Sequence, residues 1–189
     1  MINNWITTSG TFVIKELSAQ DSVLKHLDIG TKYMECTATG VINLPSKTAF
    51  GTWEFDLYKT GDGNNIIINF ITNGITQSDP LYRLMLFSDE RIYVQERNPT
   101  GMASYTATSY INIGTWYKLK ITRTIDGEFT IYIKGGTFGA NYILVDMTGG
   151  AGTNPTTKDI STVICKNMIV VLGRGDKIAN ILIKEGVEQ

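Results

Sequence analysis

The segment GTWYKLKITRTIDGEFTIYIKG, from Gly114 to Gly135, constrains the fold more strongly than any other part of this sequence. Apolar residues take every second position in it, on both sides of the pair Asp126-Gly127. A period of two with one apolar face is typical of a half-buried β-strand, and Asp-Gly is typical of a turn. The segment is therefore predicted to form a β-hairpin on which the remaining strands pack.

The register of this hairpin follows from which side chains must share a face. A two-residue Asp-Gly turn would place Ile121 opposite Tyr132, so that an apolar face would meet a polar one. A three-residue loop over residues 125–127 places Ile121 opposite Ile131 instead. Because register follows the buried face, the three-residue loop is the prediction, with Gly127 in the left-handed conformation that glycine adopts easily.

Similar alternation, with turn residues between the runs, predicts about twelve strands along the chain. One passable helix is predicted over Leu17–Leu27, and a long exposed loop over Thr148–Lys158. Because turn signals recur about every 8 to 12 residues, the predicted fold class is all-β, a two-sheet antiparallel jelly-roll sandwich, formed as one domain over residues 1–189. The other predicted strands are Thr11–Glu16, Tyr33–Thr37, Val41–Leu44, Thr52–Lys59, Ile66–Thr72, Leu81–Phe87, Ile92–Arg97, Tyr105–Ile113, Tyr142–Met147, Met168–Leu172 and Ile178–Lys184.

Composition argues against several classes of function. Lys and Arg number 17 against 18 Asp and Glu, with no block of like charge, which argues against nucleic acid as a main partner. The longest apolar runs are far shorter than a membrane span, so no transmembrane segment is predicted. The first residues, MINNWITTSG, lack the basic start and apolar centre of a secretion signal, which predicts synthesis in the cytoplasm.

The residues that most often bind metals or act as nucleophiles are scarce. Cys36 and Cys165 are too few and too far apart for a zinc signature, and their strand-like surroundings favour buried free thiols over a disulfide. His26 is the only histidine, which excludes histidine-based catalytic triads.

Three stretches share their order with a known superfamily: the strand GTWEFDLYK at residues 51–59, the Gly-x-Trp-Tyr-x-Leu of Gly114–Leu119 with its hairpin, and the Gly-rich turn and strand over Gly173–Ile183. In this order they resemble the concanavalin A-like lectin/glucanase jelly rolls, and within them the laminin G-like branch. The missing secretion signal, the small size and the Asn/Ile-rich composition also resemble jelly-roll proteins among bacteriophage structural genes. That resemblance implies a location in the virion.

The glucanases of this superfamily make Glu54 and Asp56 candidates for catalysis. Their strand motif is Glu-x-Asp-x-x-Glu, and retaining hydrolysis needs two carboxyl groups about 5 Å apart. Here the last position of the motif is Lys59, which cannot take the acid/base role at neutral pH without a large pKa shift. The prediction is therefore that the protein is not an enzyme.

Ligand-binding residues are predicted on the polar face of the central strands, where carboxylates and aromatic rings could contact sugar hydroxyls and sugar rings. The candidate ligand-binding residues are Glu54, Asp56, Tyr58, Tyr82, Lys120 and Tyr132. A calcium ion is the one cofactor considered, since it is common in laminin G-like domains, and its candidate ligands are Asp62 and Asn64 in the turn TGDGNN. The string Arg174-Gly175-Asp176 spells an integrin-type tripeptide, but its glycine also suits a turn.

Two functions stay open at this point. The first is a non-catalytic, lectin-like module that binds a glycan or another surface, displayed on a phage particle. The second is a phage structural or assembly protein, such as a capsid decoration or tail protein, that packs against itself as a homo-oligomer or against other virion proteins and binds no sugar.

Overall fold

A computed structural model describes residues 5–18, 27–28, 30–74, 76, 78–97, 101–150, 159 and 164–186. In these ranges the regular elements are β-strands, apart from one 3₁₀ turn at Gly136–Phe138. The strands are β1 (Ile6–Ser9), β2 (Phe12–Glu16), β3 (Lys32–Cys36), β4 (Gly40–Pro45), β5 (Gly51–Tyr58), β6 (Ile66–Thr72), β7 (Leu81–Leu86), β8 (Ile92–Arg97), β9 (Ala103–Tyr105), β10 (Trp116–Arg123), β11 (Phe129–Lys134), β12 (Ile143–Leu144), β13 (Gly149–Gly150), β14 (Asn167–Leu172) and β15 (Lys177–Glu185).

The strands form two antiparallel sheets. One sheet has eight strands in the order β1-β4-β14-β6-β7-β8-β9-β13, and the other has seven in the order β12-β11-β10-β5-β15-β3-β2. Strands that are distant in sequence lie side by side, as β14 does between β4 and β6. The two sheets pack face to face, which confirms the all-β, two-sheet antiparallel prediction.

The central hairpin has the predicted register. Ile121 lies opposite Ile131 across β10 and β11. The Thr124 amide donates to the Glu128 carbonyl at 3.0 Å, which closes a three-residue loop. Gly127 has a φ of 81°, the left-handed region in which a Cβ atom would be strained.

The core between the sheets is built from the inward positions of the same strands. Trp53, Phe70 and Phe129 are fully buried, with ring centroids 5.2 Å apart for the first two and 6.2 Å apart for the last two. Burying each large apolar side chain contributes on the order of 1.5–3 kcal/mol. Cys36 and Cys165 are buried as free thiols, and burial raises the pKa of both.

Some predicted boundaries were wrong. The strand predicted over Tyr105–Ile113 is instead the short β9, and the chain then turns, with Ser109 at a positive φ of 54°. Thr106 ends the pairing because its hydroxyl oxygen accepts from the Ile92 amide at 3.0 Å. Of the strand predicted over Tyr142–Met147, Ile143–Leu144 pairs with β11, and the Val145 amide donates to the Ile131 carbonyl of the same strand at 3.0 Å.

Several predictions fall on parts of the chain that the structure does not describe. Most of the helix predicted over Leu17–Leu27, His26, and residues 151–158 of the predicted loop lie outside the described residues. Within the described residues there is no helix long and apolar enough to cross a bilayer.

Candidate functional site

The outer face of the seven-stranded sheet carries most of the predicted ligand-binding residues. Alternation along β5 puts Glu54, Asp56 and Tyr58 on one side of the sheet, while Trp53, Phe55 and Leu57 enter the core. The register then sets Lys120 of β10 between Glu54 of β5 and Tyr132 of β11. We call this surface the lysine-tyrosine face; its polar members are Glu54, Asp56, Tyr58, Lys118, Lys120, Tyr132, Lys134, Tyr142 and Lys177.

The carboxylates of the lysine-tyrosine face are already paired with other side chains of the same face. Lys118 Nζ lies 3.3 Å from Asp56 Oδ2 and 3.8 Å from Glu54 Oε2, and the Asp56 side chain is fully buried beneath it. The Tyr142 hydroxyl donates to Glu54 Oε2 at 3.0 Å. Burial, and then the neighbouring Glu54 carboxylate, raise the pKa of Tyr142 above its usual range.

Lysine side chains also cover the aromatic rings of this face. Lys120 Nζ lies 4.1 Å from the centroid of the Tyr132 ring and 4.5 Å from that of Tyr142, which Lys134 Nζ approaches at 4.9 Å. At the other end of the face, Lys177 Nζ lies 4.4 Å from the centroid of the Tyr58 ring. A sugar that stacked on the covered side of these rings would have to displace an ammonium group first.

Tyr82 is not on this surface, which corrects its assignment as a ligand-binding residue. It lies on β7 of the other sheet and points into the core, fully buried, with its ring centroid 5.0 Å from that of Phe129. The guanidinium carbon of Arg123 lies 4.7 Å from its centroid, and its hydroxyl donates to Asp159 Oδ1 at 2.6 Å. A ligand that approaches from solvent cannot stack on this ring.

The proposed calcium ligands lie together but do not fit a cation. Lys59 Nζ lies 3.1 Å from Asp62 Oδ1, and the Asn64 side-chain amide donates to Asp62 Oδ2 at 2.9 Å. Although burial opposes it, these donors together hold the pKa of Asp62 below its ordinary value. No group of three or more acidic, histidine or cysteine side chains in the described part of the chain could hold a metal ion.

Lys59 and Asp176 have structural roles at this end of the sandwich. Lys59 is 1% exposed, and its Nζ donates to the Thr60 carbonyl at 2.9 Å and lies 3.7 Å from Asp176 Oδ1. Asp176 is fully buried and accepts from the Thr60 and Gly173 amides, and burial raises its pKa. The carboxylate of the Arg-Gly-Asp string is therefore out of reach of a receptor.

The outer face of the eight-stranded sheet carries a second polar group, which sequence reasoning missed. The register places Ile169 of β14, Asn69 of β6, Arg83 of β7 and Gln95 of β8 side by side in one row. Arg83 donates from Nε at 3.2 Å and from Nη2 at 2.7 Å to Gln95 Oε1. We call Asn69, Arg83, Tyr93, Gln95, Arg97 and Tyr105 on this side of the sheet the arginine face.

Arg83 and Arg97 are not neutralised as Lys118 and Lys177 of the other sheet are. They lie on the same side of adjacent strands, and neither takes part in a salt bridge with any carboxylate of the described residues. Burial, and then the charge of Arg97, lower the pKa of Arg83. Arg91, near the same sheet, differs because its Nη2 lies 2.7 Å from Asp89 Oδ2.

Asn69 is fully buried, and neither its amide nitrogen nor its amide oxygen has a hydrogen-bond partner. Leaving such a group unpaired costs on the order of 1–3 kcal/mol. Asn69 lies between Ile169 and Arg83 in the row, so the unpaired amide lies directly beside the charged part of the arginine face. Because the side chain has no exposed surface, only a buried water could recover the lost hydrogen bond without a rearrangement of the sheet.

Aromatic rings border the arginine face. Tyr93 and Tyr105 are stacked, with centroids 5.4 Å apart and an interplanar angle of 6°, and Phe87 packs 5.4 Å from Tyr93. Gly149 of β13 sits against the Tyr105 ring so closely that a Cβ there would lie 2.1 Å from a ring carbon. The sheet therefore holds both tyrosines in fixed positions beside the polar row.

One sequence signal could have revealed the arginine face. Strands β6 and β7 are apolar on both sides, a pattern typical of strands inside a two-layer structure. Asn69 in IIINFIT and Arg83 in LYRLML interrupt this pattern at outward positions. A lone polar residue on an otherwise apolar strand face is an informative exception, because burying it has a cost.

No family model matches this chain, and no curated protein matches it. Several solved structures share its fold. The carbohydrate binding module CBM66 from Bacillus subtilis has a TM-score of 0.54 at 14% identity and covers 94% of this chain and 93% of its own. A human galectin-16 variant has a TM-score of 0.53 at 13% identity over 76% of this chain and 94% of its own. A carbohydrate esterase from the Shiga toxin-encoding bacteriophage phi24B has a TM-score of 0.54 at 11% identity over 95% of this chain and 88% of its own. These similarities confirm the jelly-roll fold class.

Proposed function

We propose that this protein is a non-catalytic carbohydrate-binding module and that it binds glycan on the arginine face. The observation that carries the proposal is the pair Arg83 and Gln95, which holds unused hydrogen-bonding groups beside the ordered ring of Tyr93. Sugar recognition requires both parts, because hydroxyls need donors and acceptors while the apolar side of a pyranose packs on an aromatic ring.

Donors for a ligand remain on this face after its internal hydrogen bonds are counted. Arg83 uses Nε and Nη2 for Gln95 Oε1, which leaves Nη1 and the Gln95 amide nitrogen for a ligand. The carbohydrate-binding module and the galectin share this fold. They support the proposal at the level of architecture alone, because one fold can host many functions. The specific site rests on the side chains described here.

Catalysis is not part of the proposal. Glu54 and Asp56 share the ammonium group of Lys118, and Asp56 has no exposed surface. Lys59, at the place where the glucanase motif has its acid/base carboxyl, is buried. A hydrolase site at this strand would need a second, accessible carboxyl group for general acid catalysis.

A glycan array followed by calorimetry tests the proposal. We expect binding to a defined class of oligosaccharide, and we expect Gln95→Ala to weaken it because this variant removes an amide donor and frees Arg83 to move. Lys120→Ala on the lysine-tyrosine face is the matched control and should leave the affinity unchanged. Loss of binding in the Lys120 variant but not in the Gln95 variant would indicate that the glycan site lies on the seven-stranded sheet.

An array with no response, together with a stable oligomer in light scattering, would reject the proposal. It would favour the alternative of an assembly protein that packs against copies of itself or against other proteins of a particle.

A further inference from the structure

We propose that the ligand of the arginine face is an acidic glycan, whose carboxylate or sulfate group is bound between Arg83 and Arg97. This inference rests on the proposed function and adds the chemical class of the ligand to it. Its basis is an excess of positive charge, in a molecule whose total charge is close to neutral at −1.

The excess is local. On the lysine-tyrosine face, Lys118 contacts two carboxylates and Lys177 contacts Glu35 at 3.8 Å, while Lys120 and Lys134 lie over the rings of Tyr132 and Tyr142. On the arginine face, Arg83 and Arg97 form no salt bridge among the described residues, and the charge of Arg97 raises the cost of charging Arg83. Two neighbouring cations without a counter-charge attract an anion, and most strongly where both are partly buried.

Acidic side chains on the adjoining turns already have other partners. Asp79 accepts from the Thr76 amide and hydroxyl, both at 2.8 Å. Asp89 accepts from Arg91 Nε at 2.9 Å. Neither carboxylate forms a salt bridge with Arg83 or Arg97 in the part of the chain that the structure describes.

Arg83 is also oriented for an anion. Its Nε and Nη2 are both directed to the single oxygen Gln95 Oε1, so the plane of the guanidinium group is fixed by the neighbouring strand. A fixed guanidinium plane suits the two oxygens of a carboxylate or sulfate, which a lysine ammonium cannot match in geometry.

Calorimetry with four oligosaccharide probes tests this inference. The probes are an oligogalacturonate, its carboxyl-reduced neutral counterpart, a sulfated oligosaccharide of equal length, and its desulfated form. We expect the wild-type protein to bind at least one acidic probe about tenfold or more tightly than its neutral counterpart, since a charge-assisted pair is roughly twice as strong as a neutral one. The acidic probe that binds identifies carboxylate or sulfate as the recognised group.

Matched charge variants separate recognition from general attraction. Arg97→Gln should lose the preference for the acidic probe over its neutral counterpart. Lys120→Gln, which removes the same charge from the other face, should keep this preference. Melting temperatures check that both variants are folded. Equal losses in the two variants, or equal binding of acidic and neutral probes, would overturn this inference while leaving glycan binding intact. Failure of every probe here and of the whole glycan array would overturn the proposed function as well.

Discussion

The outer faces of the two sheets are built from similar residue types but differ in how their polar groups are satisfied. On the lysine-tyrosine face, each carboxylate of β5 has a lysine or tyrosine partner, and the tyrosine rings lie under ammonium groups. On the arginine face, two guanidinium groups lack a counter-charge and a buried amide lacks any partner. Richness in charge and aromatic rings therefore does not by itself mark a binding surface.

The difference has an energetic meaning. Groups that satisfy one another contribute to folding and leave little for a ligand, while unpaired groups reduce stability and leave hydrogen bonds to be formed on binding. The seven-stranded sheet should therefore respond to substitution through stability, and the eight-stranded sheet through affinity.

The largest effect is expected from Asp56→Ala on the lysine-tyrosine face. Asp56 is fully buried and lies 3.3 Å from Lys118 Nζ, so its loss should lower the free energy of unfolding by about 2 kcal/mol, as for a hydrogen bond to a charged group. Urea denaturation measures it. Arg97→Gln is the control, expected to change stability by less than about 0.5 kcal/mol, as for an ordinary surface change. A larger loss of stability in the Arg97 variant than in the Asp56 variant would contradict this difference between the two faces.

The next effect has the opposite sign. Asn69→Leu replaces a buried, unpaired amide by an apolar group of similar size, so we expect the protein to gain about 1 kcal/mol of stability. A loss of stability instead would mean that Asn69 is hydrogen-bonded to a buried water, and the argument from its unpaired state would fail.

The sequence predicted the fold well because the fold depends on patterns that repeat. Alternation of apolar side chains, and the need to bury Ile121 against Ile131, determine the hairpin and its loop. The sandwich follows from many such strands. Errors came where short polar side chains end the pairing, as Thr106 does after β9, since a hydrogen bond to one hydroxyl leaves no periodic trace.

The site was harder to predict because it depends on which strands become neighbours. One shared face was correctly expected for Glu54, Asp56, Lys120 and Tyr132. Only the structure shows that the carboxylates of this face pair with Lys118 and that Lys120 covers the Tyr132 ring. Asn69, Arg83 and Gln95 are 26 residues apart from first to last and meet through the order of β6, β7 and β8.

A smaller effect should come from Lys120→Met. This change keeps the aliphatic stem but removes the ammonium group from between Tyr132 and Tyr142, which should cost about 1 kcal/mol of stability through the lost cation-π contacts. It also uncovers the Tyr132 ring, while Lys134 still lies over Tyr142. If the lysine-tyrosine face were the glycan site, the variant would change the affinity for the array ligand, so unchanged affinity in calorimetry supports the arginine face.

The smallest effect is in the pH dependence of stability and contrasts paired and unpaired arginines. The hydrogen bond from Arg91, opposed only in part by burial, holds the pKa of Asp89 below its ordinary value. A depressed carboxyl pKa contributes stability that is present above the pKa of the unfolded chain and is lost as pH falls through the pKa of the folded state. Arg91→Gln should therefore be slightly less stable than the wild type at pH 7, and the difference should vanish in acid below the folded pKa of Asp89.

Arg97→Gln provides the contrast in the same urea experiment. Arg97 forms no salt bridge among the described residues, so we expect its stability difference from the wild type to stay constant between pH 7 and the acid limit. If that difference did change through the carboxyl range, a carboxylate would have to lie near Arg97 in solution. The positive charge of the arginine face would then be neutralised within the protein, and its preference for an acidic ligand would lose its physical cause.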